Sequence, residues 1–206
     1  AIGRLLCQVG FGLIQFYIPI LFVNQVGLSA TAVGLSLGLG AVSEVVSHLL
    51  GGALSDSPRF GRKATLSLSA LLGIAVSLIL IVSHSLLLLT IAGLLLGLSL
   101  GFYWTTSSAA IMDATPSEQR HQAFAVLGVA EYIGVGMGVL GGGVLLIVLQ
   151  QTPQWIFMGC GVIFLAFLVM IQTTMTTAQQ PPSTQENLAQ GVMVALQDKR
   201  LLLFVL

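Results

Sequence analysis

The sequence predicts an all-α membrane protein, a six-helix transmembrane bundle, and three observations carry that prediction. Charged residues make up 7% of the chain and hydrophobic residues 56%, where an ordinary soluble domain has about 25% charged residues. Seven basic and seven acidic residues are too few to clothe a chain of this length in a polar skin, so its outer surface must face lipid. Six segments are each apolar over the ~20 residues that a helix needs to cross about 30 Å of hydrocarbon. The separators between them also alternate in charge, as the loops of a multi-pass protein do.

The first span, at 5–26, follows no charged n-region or cleavage site and reads as a retained span, not a signal peptide. The next five are expected at 31–54, 64–82, 86–111, 123–149 and 153–175, after the separators NQVGLSA, SDSPRFGRK, SHS, DATPSEQRHQ and QQTPQ. Turn-forming Gly, Pro, Ser and Asn punctuate these separators. Residues 1–175 thus form the bundle, 176–200 a polar linker containing Gln179, Gln180, Pro181 and Pro182, and 201–206 the start of a seventh span. The stretch 187–199 reads equally as a short surface helix or as a tether. Ala1 and the closing LLLFVL both read as cut ends.

With this span count Arg4, the trio Arg59, Arg62 and Lys63, Arg120, and the pair Lys199 and Arg200 all fall on one side. Basic residues stay on the cytoplasmic side. The expectation is therefore a multi-pass protein of a plasma or inner membrane, with termini and linker in the cytoplasm. The zero net charge and the lack of a basic stripe argue against a nucleic-acid partner. Cys7 and Cys160 stand alone in apolar segments and read as small buried hydrophobes. No Ser/His, paired-Asp or HExxH constellation, metal-ligand set or cofactor fingerprint is present in the sequence, so neither an enzyme nor a cofactor is expected.

The stretch GGALSDSPRFGRK, Gly51 to Lys63, concentrates Asp56, Arg59, Arg62 and Lys63 in one loop. Asp56 falls at the C-terminal end of the second helix, where the helix dipole disfavours negative charge by about 0.3–1 kcal/mol. Arg59 and Arg62 are placed to offset that locally. Gly51 and Gly52 leave room for a helix from outside these six spans to come close. The order Gly52, Leu54, Asp56, Arg59, Gly61, Arg62, Lys63 resembles the loop signature G-x-L-x-D-R-x-G-R-K of the major facilitator superfamily, with Ser57 and Pro58 as a two-residue insertion. Asp113, Pro116 and Arg120 match a second family pattern, D-x-x-P-x-x-x-R, at an equivalent turn between spans four and five.

The resemblance implies that the bundle consists of two three-helix repeats and is the N-terminal half of a twelve-helix transporter. It implies a C-terminal six-helix half as partner, alternating access about a central site, and a small-molecule substrate, with a proton or another ion as the coupling species. It also implies that Asp56 meets a helix N-terminus of the other half and helps to latch the cytoplasmic side. A membrane receptor or assembly factor on the same scaffold, without transport, is the rival reading.

The fifth span contains Gly134, Gly136, Gly138, Gly141, Gly142 and Gly143. Its G-x-G-x-x-G has no strand before it and is no dinucleotide site. The four-residue spacing of Gly134, Gly138 and Gly142 instead points to close helix packing. With Gly143 these glycines resemble the antiporter motif G-x-x-x-G-P-x-x-G-G, with Val139 in the proline's place. Gly97 and Gly101 resemble a second antiporter motif in which Gly93 stands for a basic residue.

Ionisable groups inside a span are functional candidates because each costs about 2.5–3.5 kcal/mol to insert near the centre. Glu44 and His48 are one turn apart and share a face, which suits either a proton-exchanging pair or a structural contact. Glu131 on the glycine-rich helix reads as packing, gating or substrate contact. Arg4, Gln8 and Gln15 lie in one sector of the first span and are expected to line a cavity. Tyr103, Trp104, Thr105 and Thr106 read as an interfacial belt or as further cavity wall. Spans three and six carry no charge, which matches the family's peripheral third and sixth helices.

Overall fold

Six long helices and one short turn make up the computed structural model, which describes residues 2–58, 60–148 and 154–175. Arg59, the linker at 176–200 with Lys199 and Arg200, and the seventh span expected at 201–206 lie outside the described residues. The helices are α1 (Ile2–Asn24), α2 (Ala30–Asp56), α3 (Gly61–Val82), α4 (Leu86–Ala114), α5 (Arg120–Val148) and α6 (Gln154–Thr174), with a 3₁₀ turn at Ser117–Gln119 before α5. All six are long and apolar enough to cross a membrane.

Local chemistry sets the helix ends. Ser29 and Ser85 are N-caps whose hydroxyls accept from the N–H groups of Ala32 (3.2 Å) and Leu88 (3.3 Å), which satisfies donors the helix itself cannot pair. Between α2 and α3, Gly61 has φ +69°, a conformation that glycine reaches without a Cβ penalty. Its N–H donates to the Ser57 carbonyl at 2.9 Å. That turn starts α3 at Gly61, so Arg62 and Lys63 lie in its first turn, whereas hydropathy alone placed them in the preceding loop. A helix starts at its cap whatever the polarity of its first turn, and a hydropathy window cannot see that.

The packing follows a repeat. α2 lies along α4 and α5 lies along α1, while α3 packs on α4 and α6, and α6 on α1 and α3. Exchanging the first three helices for the second three maps each of these seams onto another, as two three-helix repeats require. α1 and α4 run through the interior, whereas α2 and α5 keep most of their surface open. Phe11, Ile14, Ile18 and Phe22 of α1 meet Leu96, Leu100 and Tyr103 of α4 and Cys160, Phe164 and Phe167 of α6 in the core. Ser69 and Ser99 clamp α3 to α4 reciprocally, each hydroxyl donating to the other's carbonyl at 2.8 Å. Cys7 and Cys160 are buried and free.

Candidate functional site

At one end of the bundle the two loop motifs meet. Arg62 Nε lies 2.6 Å from Asp113 Oδ2 at the end of α4, and its Nη2 lies 3.8 Å from Asp56 Oδ1 at the end of α2. One guanidinium thus joins the C-terminal turns of two helices, offsetting carboxylates where the dipoles disfavour them. Arg120 caps α4 by donating to the carbonyls of Met112 (3.2 Å) and Thr115 (3.4 Å). Pro116 precedes the 3₁₀ turn. Within that turn the Glu118 backbone N–H and the Ser117 hydroxyl hold the Glu118 carboxyl below the usual carboxylate range. Lys63 Nζ donates to the Gln172 carbonyl at 3.1 Å, tying α3 to the end of α6.

Deeper in, α1 turns Arg4 toward α5. Arg4 Nη2 lies 3.3 Å from Glu131 Oε2, and the guanidinium sits 5.0 Å from the ring centroid of Trp104 on α4, a cation–π distance. Tyr103 is buried beside it, in ring contact with Phe11, Trp104 and Phe167. Tyr103 therefore belongs to the core and not to an interfacial belt, while Trp104, half-buried, carries a cation. Gln8 is buried, with its Cβ facing Gly134 of α5.

Further along α1, Gln15 faces a cavity of about 240 Å³ between α1, α2 and α4. Glu44 opens onto it from α2, with Leu37, Gly40 and Ala41 beside it and Gly93, Leu96, Gly97 and Leu100 opposite. His48 Nε2 is 3.8 Å from Glu44 Oε1, and both side chains are partly exposed. The sector of Arg4, Gln8 and Gln15 thus divides: its first member pairs with α5 and its last looks into the α2 cavity.

The glycines of α5 explain the α1–α5 seam. A Cβ at Gly134 would meet the Leu5 carbonyl at 2.6 Å, one at Gly138 the Val9 carbonyl at 2.5 Å, and one at Gly142 the Tyr17 ring. Gly143 stands 3.2 Å from the Tyr17 hydroxyl by the same measure, whereas Gly136 and Gly141 face open space. The reading of Gly51 and Gly52 needs correction. Gly51 lies against Thr105 and Phe102 of α4, and only Gly52 is open, because successive residues turn about 100° around a helix.

Two contacts were not legible beforehand: Arg62 to Asp113, and Arg4 over Trp104. Both join residues on helices distant in sequence. For Arg62 and Asp113 the available signal was the coincidence of opposite charges at the same end of the bundle; Arg4 over Trp104 had none. Among the described residues no group of three or more His, Cys, Asp or Glu could hold a metal ion.

The chain is similar to known proteins as a whole. The chain is 27% identical over 205 residues to the multidrug resistance protein MdtH of Salmonella typhimurium, covering 100% of this chain and 50% of that protein. The same values hold for MdtH of Salmonella newport. The chain spans about half the length of the curated relatives it matches. Among solved structures, a peptide transporter POT in complex with sulfate superposes with a TM-score of 0.75 at 15% identity, over 98% of this chain and 43% of that one. The human organic anion transporter MFSD10 (TETRAN) does so with a TM-score of 0.65 at 20% identity, over 88% and 48%. The profile of the Major Facilitator Superfamily matches residues 1–206, and the chain belongs to that family.

Proposed function

We propose that this chain is the N-terminal half of a secondary active transporter that moves a small solute by alternating access about a central site. The observation that carries the reading is the cavity between α1, α2 and α4, into which Gln15 and Glu44 face. A carboxylate near the middle of a membrane helix is expensive, and Glu44 is not sealed in a packed interface but open to a space of about 240 Å³. A receptor or assembly factor on this scaffold has no need of such a group. The basic end, with the Asp56 and Asp113 loops, faces the cytoplasm of a plasma or inner membrane in this reading, and Asp56 latches that side against the C-terminal half.

The test uses the full-length protein in a Cys-free background. Single cysteines at Gln15 and Ala41 should react with impermeant thiol reagents added from either face, whereas Ser57 and Ser117 react only from the cytoplasmic face and Ser29 only from the other. A cavity reachable from a single face would favour the non-transporting reading.

Glu44, assisted by His48, is the proton-responsive group of this cavity. Gln15 of α1 faces it, and α4 contributes only Gly93, Leu96, Gly97 and Leu100 to the same wall. Glu44→Gln should flatten the pH dependence of transport. An unchanged profile would move the coupling elsewhere.

A further inference from the structure

The Arg4 corner holds more hydrogen-bond donors than Glu131 uses. Nη2 faces Glu131, but Nε and Nη1 are buried and have no hydrogen-bond partner among the described residues. The neighbouring Tyr103 hydroxyl is buried and likewise unpartnered. Both side chains are secluded, Arg4 at 9% exposure and Tyr103 at 1%. Buried polar groups almost always find partners, so three unsatisfied atoms on two adjacent side chains form a concentrated exception. The guanidinium nitrogens are donors only, and a phenol donates readily. The set therefore calls for acceptor oxygens, and the positive charge favours anionic ones.

The existing partner is loosely held. The Arg4–Glu131 distance of 3.3 Å exceeds the 2.7–2.9 Å typical of a charge-assisted N–H···O contact, and Glu131 keeps 19% of its side chain exposed. Arg4, Cys7, Tyr103 and Glu131 share one electrostatic neighbourhood, drawn from α1, α4 and α5. α6 brings no charged residue, and Tyr132 on α5 points outward. The corner is neutral as it stands, one cation against one anion. A second carboxylate entering this apolar surrounding would leave an uncompensated buried charge, unless a proton binds at Glu131.

We infer that Arg4 and Tyr103 form a subsite for the carboxylate of an organic monoanion, which enters with one proton taken up by Glu131. The charges balance: Glu131 becomes a neutral acid, the ligand carboxylate replaces it as the counter-ion of Arg4, and Tyr103 donates to the second oxygen. This deepens the transporter reading and rests on it, because it assigns a substrate class to the same half.

The experiment uses purified full-length protein, with benzoate as probe, benzamide as its neutral isostere and benzylamine as its cationic counterpart. Benzoate should bind and raise the melting temperature while benzamide does not, with about one proton taken up per bound anion in weakly buffered solution. Its affinity should fall about tenfold per pH unit on the alkaline side, the slope of a one-proton linkage. Glu131→Gln should retain benzoate binding but abolish proton uptake and the pH slope. Arg4→Gln should weaken benzoate at least tenfold, and Tyr103→Phe severalfold. If Arg4→Gln does not fold, the proton count in Glu131→Gln decides. Equal binding of benzoate and benzamide, preference for benzylamine, or proton uptake that survives Glu131→Gln would each overturn the subsite. Thiol accessibility at Gln15 and Ala41, measured on the same preparation, separates the two readings. Two-sided access without benzoate binding removes the subsite alone, and one-sided access removes the transporter reading as well.

Discussion

The α2–α4 and α1–α5 seams occupy equivalent places in the two repeats, yet different chemistry holds them. Along α2–α4 both helices contribute glycine: Gly93, Gly97 and Gly101 lie on the backbone of Ser36, Gly40 and Glu44. That proximity brings hydroxyls within reach across the seam. Ser43 donates to the Leu94 carbonyl at 2.8 Å, Ser47 to the Gly97 carbonyl at 3.1 Å, and Ser36 meets Thr90 at 2.9 Å. Along α1–α5 the glycines come mainly from α5, with Gly12 of α1 against Val135. The polar contacts there are the Tyr17 hydroxyl donating to the Val139 carbonyl at 2.7 Å and the Arg4–Glu131 pair. Lipid tails are as apolar as leucine, so backbone approach and polar contacts must hold helices together in a membrane. The first seam distributes that task over neutral groups, while the second places much of it on one ion pair. Loss of that pair should therefore loosen α1–α5 without touching the hydroxyl contacts that hold α2–α4.

The largest effect should come from closing the neutral seam to its own backbone. Gly97→Val would drive its Cβ into the Gly40 carbonyl and within 2.9 Å of the Glu44 N–H. Helix backbones cannot yield as a side chain can, so a cost at or beyond the upper end of the roughly 1–3 kcal/mol of ordinary overpacking is expected. Little monodisperse protein should be recovered in size-exclusion chromatography. Gly141→Val faces open space and should behave as the parent. Equal recovery of the two variants would break the account of the seam.

A second test sharpens the contrast in charge. Arg4→Gln strands the Glu131 carboxylate and should destabilise by about 3–5 kcal/mol if that charge persists, read as a lower melting temperature at neutral pH. Arg4→Gln with Glu131→Gln should melt closer to the parent than Arg4→Gln alone, because no buried charge is left unpaired. Additive losses in the double variant would mean that the two residues do not act as a pair.

The smallest differences concern single hydroxyls. Tyr17→Phe removes the one described neutral side-chain hydrogen bond across α1–α5 and should cost about 1 kcal/mol. Ser47→Ala leaves Ser36 and Ser43 in place and should cost about 0.6 kcal/mol, the mean for such bonds between membrane helices. Thermal melts in one detergent would rank the two. The reverse order would argue against a polar contact shared among many groups in α2–α4.

Much of this architecture is legible in the sequence. The six spans lie within a few residues of where hydropathy placed them, because crossing a bilayer constrains length and composition locally. The spacing of Gly134, Gly138 and Gly142 announced a packing face, and the loop residues from Gly52 to Lys63 announced the family. The direction of that packing was less visible. Gly51 turned to α4 and Trp104 beneath Arg4, although composition suited an outside partner for one and a membrane interface for the other.

What the sequence determined by itself is therefore what depends on neighbours along the chain: the membrane class, the number of spans and the loop motifs. Tertiary structure alone decided which side chains meet across helices. Arg62 joined Asp56 to Asp113, Arg4 found Glu131, and Glu44 turned to a cavity shared with Gln15. Each of these depends on how far a helix is rotated about its axis when it packs. One residue of shift swings a side chain by about 100°, and a uniformly apolar membrane helix carries too weak a pattern to fix that rotation before its neighbours do.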